Sequence, residues 1–283
     1  MNPVPHSCVS NTAIRDNWIM RHTIERWLPA TCIVCQYQVG GPNWLCDDCD
    51  GAIVPNRTRC PLCSEPHTNS THCQSCDNRG LAYLDKVVCP WVYTGVVTQL
   101  IHNWKFEGAS ELTSFLVKRA LSERGPVLIT RDASHDNESI ANSHVNPEWW
   151  PMPLHQNQWT GFVPIPMRLW RRVRRGYNQS ALLAQALCNY LPAHCVSSVH
   201  YQLLKDRGGT TQHRLRRFAR SENSRRRYSA QQLVVGQHLL LIDDVVTTGA
   251  TLSAAAAELR AAGAVSVSAW ALARTPPPQW QQV

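Results

Sequence analysis

The sequence predicts an α/β chain with a largely parallel sheet, preceded by a small cysteine-rich domain that binds metal. Three observations carry this. Eight of the 12 cysteines fall in four Cys-x-x-Cys pairs near the N-terminus. An unbroken apolar run from Leu239 to Ile242 ends in two aspartates and a loop of small residues. An alanine-rich helix and a second strand follow, so the stretch reads as a βαβ unit. At 283 residues and 43% apolar content the chain can bury one or two cores, which excludes wholesale disorder. No stretch approaches the roughly 20 apolar residues of a membrane span. The opening MNPVPHSCVSNTAIRDNWIM lacks the apolar run of a secretory signal. The chain therefore reads as a protein that stays in the cytoplasm.

Residues 1–30 form an N-terminal extension. Ile14, Trp18, Ile19, Ile24, Trp27 and Leu28 allow a short amphipathic helix there. Residues 31–85 are the cysteine domain. Its pairs are Cys32/Cys35, Cys46/Cys49, Cys60/Cys63 and Cys73/Cys76. In a reducing compartment such knuckles read as zinc ligands rather than disulfides. Two thiolates three positions apart on a tight turn can both reach one tetrahedral ion at about 2.3 Å. Four pairs supply two all-thiolate sites, which leave no open position and are structural. The segments between the pairs are too short to build a core, so metal supplies the folding energy, roughly 10–16 kcal/mol per site. Sequential pairing is preferred, 32/35 with 46/49 and 60/63 with 73/76, and a crossed arrangement stays open. His67 and His72 read as exposed loop residues. Cys8, Cys89, Cys188 and Cys195 have no Cys-x-x-Cys partner, and Cys188 reads as a small core residue.

From residue 91 the composition becomes globular, and the second domain is expected to span 91–275. Val96, Leu100, Ile101 and Trp104 recur at helical spacing, and ELTSFLVKRAL gives a second helix. Residues 131–160 are rich in Asn, Ser, His and Pro without periodicity and read as a disordered insertion, its end anchored by Trp149, Trp150 and Trp159. FVPIP is a strand, LWRRVRRG a loop, and NQSALLAQALCNYL a helix stopped by Pro192. QHLLLIDD is a strand covered on both faces. LSAAAAELRAAG is a helix with Gly263 just past its end, and AVSVSAWALA is the next strand.

The stretch LLLIDDVVTTGAT, residues 239–251, carries the chemistry. Backbone N–H groups in a loop that opens a helix converge on one point, and the helix dipole makes that point positive. This is a phosphate site. Gly249 permits close approach, and Thr247, Thr248 and Thr251 add hydroxyl donors. Asp243 and Asp244 stand beside it. Carboxylates there repel phosphate but accept from hydroxyls, so a sugar phosphate satisfies both halves. No Gly-Lys-Ser/Thr ending follows, which argues against nucleotide hydrolysis.

LLLIDDVVTTGAT resembles the phosphoribosyl-diphosphate (PRPP) motif of type I phosphoribosyltransferases. The resemblance implies that Asp243 and Asp244 hold the ribose hydroxyls and that Thr247, Thr248, Gly249, Ala250 and Thr251 hold the 5′-phosphate, with Mg²⁺ accompanying PRPP. Purine-salvage members usually carry a third acid where this chain has Thr247, which speaks against a purine acceptor. With the four cysteine pairs, YTGVVTQLIHNWKF, VPIPMRLWRRVRRGYNQS and TTQHRLRRFARSEN, the whole resembles the ComF/GntX family from about Cys32 to Arg274. That resemblance implies a type I phosphoribosyltransferase fold behind a double zinc ribbon. It places Arg175, Gly176, Asn178 and Gln179 on the diphosphate side, with Lys105 reaching it, and makes 207–227 a hood over PRPP. It also implies a role in natural competence and use of external DNA, with a helicase-like ATPase as a partner.

Charge is focused. Of 28 basic residues only four are lysine. Between 161 and 227 lie Arg168, Arg171, Arg172, Arg174, Arg175, Arg207, Arg214, Arg216, Arg217, Arg220, Arg225, Arg226 and Arg227, plus Lys205, against Asp206 and Glu222. A diphosphate uses only two or three cations. The surplus suits single-stranded nucleic acid, with Trp170, Tyr177 and Phe218 as stacking partners. Residues 31–85 are net acidic, which makes the ribbon a docking surface rather than a DNA reader. Two functions therefore stand: phosphoribosyl transfer to an unidentified acceptor, or a non-catalytic PRPP sensor or single-strand-binding adaptor in DNA uptake. No general base can be named from the sequence.

Overall fold

The structure is a computed structural model. It describes residues 31–39, 43–66, 73, 76, 81, 83–106, 111–123, 159–167, 176–191, 196, 198–207 and 227–277. The readings of residues 1–30, His67, His72, Cys8, Cys195, Trp149 and Trp150 lie outside these, as does the insertion up to residue 158.

In chain order the elements are α1 (Asp47–Gly51), β1 (Val87–Val88), β2 (Trp91–Val92), α2 (Gly95–Phe106), α3 (Leu112–Leu121), β3 (Gly161–Pro164), α4 (Gln179–Tyr190), β4 (Leu204–Asp206), β5 (Tyr228–Ala230), β6 (His238–Val246), α5 (Ala250–Ala261) and β7 (Ser266–Arg274). The main sheet is parallel, in the order β1-β7-β6-β3. β2 continues the β1 edge, with Trp91 opposite Ala273. Beyond β3, single parallel bridges join Trp159 to Val196 and Phe162 to Val199.

Both faces of the sheet are covered, which is why its central strands are apolar without interruption. Leu240 and Ile242 of β6, with Trp270 and Leu272 of β7, pack into one core with α2, α3 and α4. Leu239 and Leu241, with Val267, Ala269 and Ala271, pack into the other core with α5. The α5 side pairs small residues, Ala254, Ala255 and Ala256 against the strand alanines, so helix and sheet approach closely. The opposite side is filled by large groups; Trp91, Trp104, Trp159 and Trp270 are all fully buried.

Helix ends follow their local chemistry. Asn178 caps α4, its side chain accepting from the Ser180 N–H at 3.1 Å. α5 closes as a Schellman motif: the Gly263 N–H reaches the Arg260 carbonyl, the Ala264 N–H reaches the Leu259 carbonyl, and Gly263 takes φ 102°. The aspartates do not end β6 as the sequence predicts; the strand runs on to Val246, and the helix already begins at Ala250. Cys188 is buried on α4 as expected but is disulfide-bonded rather than a lone thiol.

The cysteine segment is joined to the sheet edge. The Val87 N–H donates to the Leu62 carbonyl at 2.7 Å, and the Val92 N–H to the Val54 carbonyl at 2.9 Å. Buried Asn56 donates through Nδ2 to the carbonyls of Ser64 and Cys89. The Ser64 hydroxyl donates to the Val87 carbonyl at 2.7 Å and accepts from the Cys89 N–H. At the α1 end, Arg119 of α3 reaches Asp50 at 2.8 Å.

Candidate functional site: two thiolate clusters and a phosphate loop

Cys32, Cys35, Cys46 and Cys49 form one cluster, and Cys60, Cys63, Cys73 and Cys76 a second, with ligand atoms in each within 4.8 Å of one another. This is the sequential pairing. The two knuckles share one backbone pattern. Gln36 and Ser64, each just after the second cysteine, have positive φ of 63° and 55°. Their N–H groups donate back to the carbonyls of Cys32 and Cys60. Cys46 stands at the N-cap of α1 and Cys49 within it.

The donor sets fit zinc. Sulfur separations of 3.7 Å (Cys35–Cys46), 3.3 Å (Cys63–Cys73) and 3.6 Å (Cys60–Cys76 and Cys73–Cys76) lie close to the edge of about 3.8 Å expected for a tetrahedron with metal–sulfur bonds of about 2.3 Å. Electrostatics agrees. In the second cluster, the hydrogen bond from Cys63 brings the Cys60 thiol down to about 4, while Cys63 is driven up by that same contact and by burial. In the first, burial opposes the Cys32 thiolate, yet backbone hydrogen bonds from Cys35, Cys46 and Val34 bring it to about 6, while burial drives Cys49 up. Four thiols so close together cannot all ionise without a cation, and a divalent ion removes the conflict. The two clusters would each hold a structural zinc ion with four thiolates and no open position.

The second site lies at the C-terminal end of β6, where open α/β sheets place their ligands. Gly249 is the N-cap of α5, in the left-handed region at φ 77°. A side chain there would also meet Leu81 Cδ2 at 3.2 Å. Thr247 and Thr248 are exposed; Ala250 and Thr251 form the first turn of α5. Arg274, buried at the end of β7, donates through Nη1 to the carbonyls of Val246 and Thr247 and so braces the loop from beneath.

Asp243 and Asp244 stand beside this loop. Asp243 Oδ1 accepts from the Ser180 hydroxyl at 3.1 Å and from the Asp244 N–H at 3.0 Å. Burial, then the adjacent Asp244 charge, raise the Asp243 carboxyl to about 7, against the Asp244 N–H, Lys105 and Ser180. Lys105, in the last turn of α2, pairs with Asp244 Oδ2 at 2.8 Å. Gly176 takes φ 81°, and Asn178 donates to the Ile165 carbonyl at 3.1 Å. The Tyr177 hydroxyl donates to the Trp104 carbonyl, which ties this turn to the end of α2. Gln179 is fully buried, and neither of its amide atoms has a hydrogen-bond partner among the described residues.

The structure thus brings Asp243, Asp244, Lys105 and the residues from Thr247 to Thr251 to one end of the sheet, with Asn178 and Gln179 opening the neighbouring helix. Ser180 and Arg274 are supports that sequence reasoning did not assign; they hold other groups, and no local motif marks them. Tyr177, expected as a stacking ring, also acts as a support through its hydroxyl on the Trp104 carbonyl. Arg175 lies outside the described residues. So do Arg168, Arg171, Arg172, Arg174, Arg214, Arg216, Arg217, Arg220, Arg225 and Arg226, with Trp170 and Phe218. Arg227 is described: it pairs with Asp206 at 3.3 Å and lies over the Tyr228 ring. β4 and β5 pair antiparallel, so residues 207 and 227 leave from one two-stranded stem.

Fold and sites define a double zinc ribbon joined to a phosphoribosyltransferase-type domain. Family models agree, with a double zinc ribbon domain matching residues 23–78 and a phosphoribosyl transferase domain residues 178–279. The chain is 30% identical over 256 residues to the DNA utilization protein YhgH of Escherichia coli K12, covering 88% of this chain and 98% of that one. It is 28% identical to competence protein F of Haemophilus influenzae, over 86% and 96% of the two chains. Competence protein ComFC of Bacillus subtilis is 25% identical, over 76% and 78%. The chain belongs to the ComF family.

Proposed function

We propose that the chain binds PRPP at the C-terminal end of β6 and acts in the use of DNA taken up from outside the cell. The observation that carries the pocket is the adjacency of a carboxylate pair to a helix N-terminus opened by left-handed Gly249. The N–H groups at the start of α5, with Thr247, Thr248 and Thr251, receive the 5′-phosphate. Asp243 and Asp244 accept from the ribose hydroxyls, and Ser180 holds Asp243 in place. The turn from Gly176 to Gln179 faces the diphosphate, Arg175 being assigned to that side by resemblance alone, and the buried amide of Gln179 has hydrogen-bonding capacity to spend there. A Mg²⁺ ion bound together with PRPP would supply positive charge against the departing diphosphate. The protein's part in transfer is to fix C1 relative to an acceptor and to stabilise the leaving diphosphate.

The link to DNA rests on the named roles of the relatives and on the arginines between 168 and 227. A polyanion uses that many cations and a single diphosphate does not. A sensor that binds PRPP without turnover, and hands the state of the cell to the uptake machinery, uses the same pocket. Pyrophosphate release across a panel of nucleobase and amine acceptors separates enzyme from sensor. Under both, Asp243→Asn with Asp244→Asn abolishes PRPP binding; unchanged affinity in a folded double variant removes the site assignment.

A further inference from the structure

Lys105 is one of four lysines in a chain with 24 arginines, and it stands where charge has to be managed. Its Nζ is 2.8 Å from Asp244 Oδ2, and the two side chains keep only 15% and 19% of their exposure. A pair this far withdrawn from water differs from a surface pair, because removing one partner leaves the other charged, buried and unpaired. Asp244 adjoins a second carboxyl, Asp243, so the ammonium offsets two acids that share one corner. Its backbone is fixed, since the preceding carbonyl, that of Trp104, receives the Tyr177 hydroxyl. That bond sets the end of α2 against the Gly176–Gln179 turn, and Ser180, the next residue, reaches Asp243. A lysine is a compact charge on a flexible stem with three rotatable donors, suited to changing partners in a way a forked guanidinium is not.

We propose that Lys105 is an exchangeable counter-ion that makes the pocket selective for ligands carrying a diphosphate. The inference rests on the PRPP reading above. Ribose hydroxyls replace the ammonium on Asp244, and the ligand's diphosphate takes the ammonium over. PRPP supplies both halves of this exchange. Ribose 5-phosphate supplies the hydroxyls alone and strands a partly buried cation, so its binding is penalised by the protein itself and not only by the contacts it lacks. Lys105 is therefore a specificity-determining residue and not simply one more positive group in the pocket.

The test compares PRPP and ribose 5-phosphate, each with Mg²⁺, on the full zinc-loaded chain. Affinities are measured first for the wild type, then for Lys105→Met and Lys105→Gln, with thermal midpoints recorded for each. The exchange predicts that both variants weaken PRPP by tenfold or more while ribose 5-phosphate binds as well as before or better. The ratio of the two affinities then collapses. Lys105→Arg, which keeps charge but not mobility, restores only part of the ratio. Equal weakening of both ligands, or an unchanged ratio, overturns the inference while leaving the pocket assignment intact. A folded wild type that binds neither ligand overturns the pocket reading, and this inference with it.

Discussion

Asp243 is held near 7 by burial and by the charge of Asp244, well above the usual 3.8 of an aspartate. The folded chain therefore keeps a proton that the unfolded chain releases. Its contribution to stability is complete below about pH 4 and is lost as pH rises through about 7. Denaturation midpoints without ligand, compared between wild type and Asp243→Asn, should show the wild type losing ground to the variant from pH 5 to pH 8. A difference that stays flat across this window contradicts the raised carboxyl. Ligand affinity should run the other way, because hydroxyl recognition needs the ionised acid, so PRPP binding strengthens across the same range. The identities of the two acids were legible in the sequence, since an apolar run, two aspartates and a Thr/Gly loop make a local pattern. Their partners were less so. Lys105 was reached only through resemblance, and Ser180 was not reached at all, because each meets its acid through the tertiary fold.

At the scale of elements, punctuation was the reliable signal. Gly263 marked the end of α5, and Pro192 the stop beyond α4. β1 and β2 left no readable pattern; each is two residues long and exists because β7 offers an edge and the ribbon covers its other side. The β4–β5 stem escaped notice for a similar reason, its strands being three residues each. The eight cysteines were legible because the ligand spacing is itself local; which pairs join was only a preference until the fold brought them together. Two zinc ions per chain are expected by metal analysis. Cys35→Ser should lose only the first, and Cys63→Ser only the second. Chelation should lower the thermal midpoint by many degrees, since each site supplies folding energy of roughly 10 kcal/mol or more. One ion per chain, or a midpoint indifferent to chelator, contradicts two structural sites.

Across the whole molecule, the ribbon and the sheet are one structure by their contacts. Asn56 and Ser64 span the junction, and Leu81 packs against both the second thiolate cluster and the core beside α5. Asn56→Ala removes two buried hydrogen bonds across the junction, a cost of about 1–3 kcal/mol, read as an earlier urea midpoint. A variant as stable as the wild type would show the junction to be incidental. Charge is distributed on the same scale, with a net acidic ribbon and an arginine-rich 168–227. Labelled single-stranded DNA should therefore bind and lose about 300-fold in affinity between about 50 and 200 mM salt if some six phosphates are neutralised. Absent or salt-indifferent binding removes nucleic acid as a direct ligand. The pocket itself is tested most directly by calorimetric titration of PRPP with Mg²⁺ into the zinc-loaded chain, with ribose 5-phosphate as the control. Binding that requires the diphosphate is the expected result. A well-folded sample that binds neither ligand contradicts the assignment of Asp243, Asp244 and the Gly249 loop as a PRPP site.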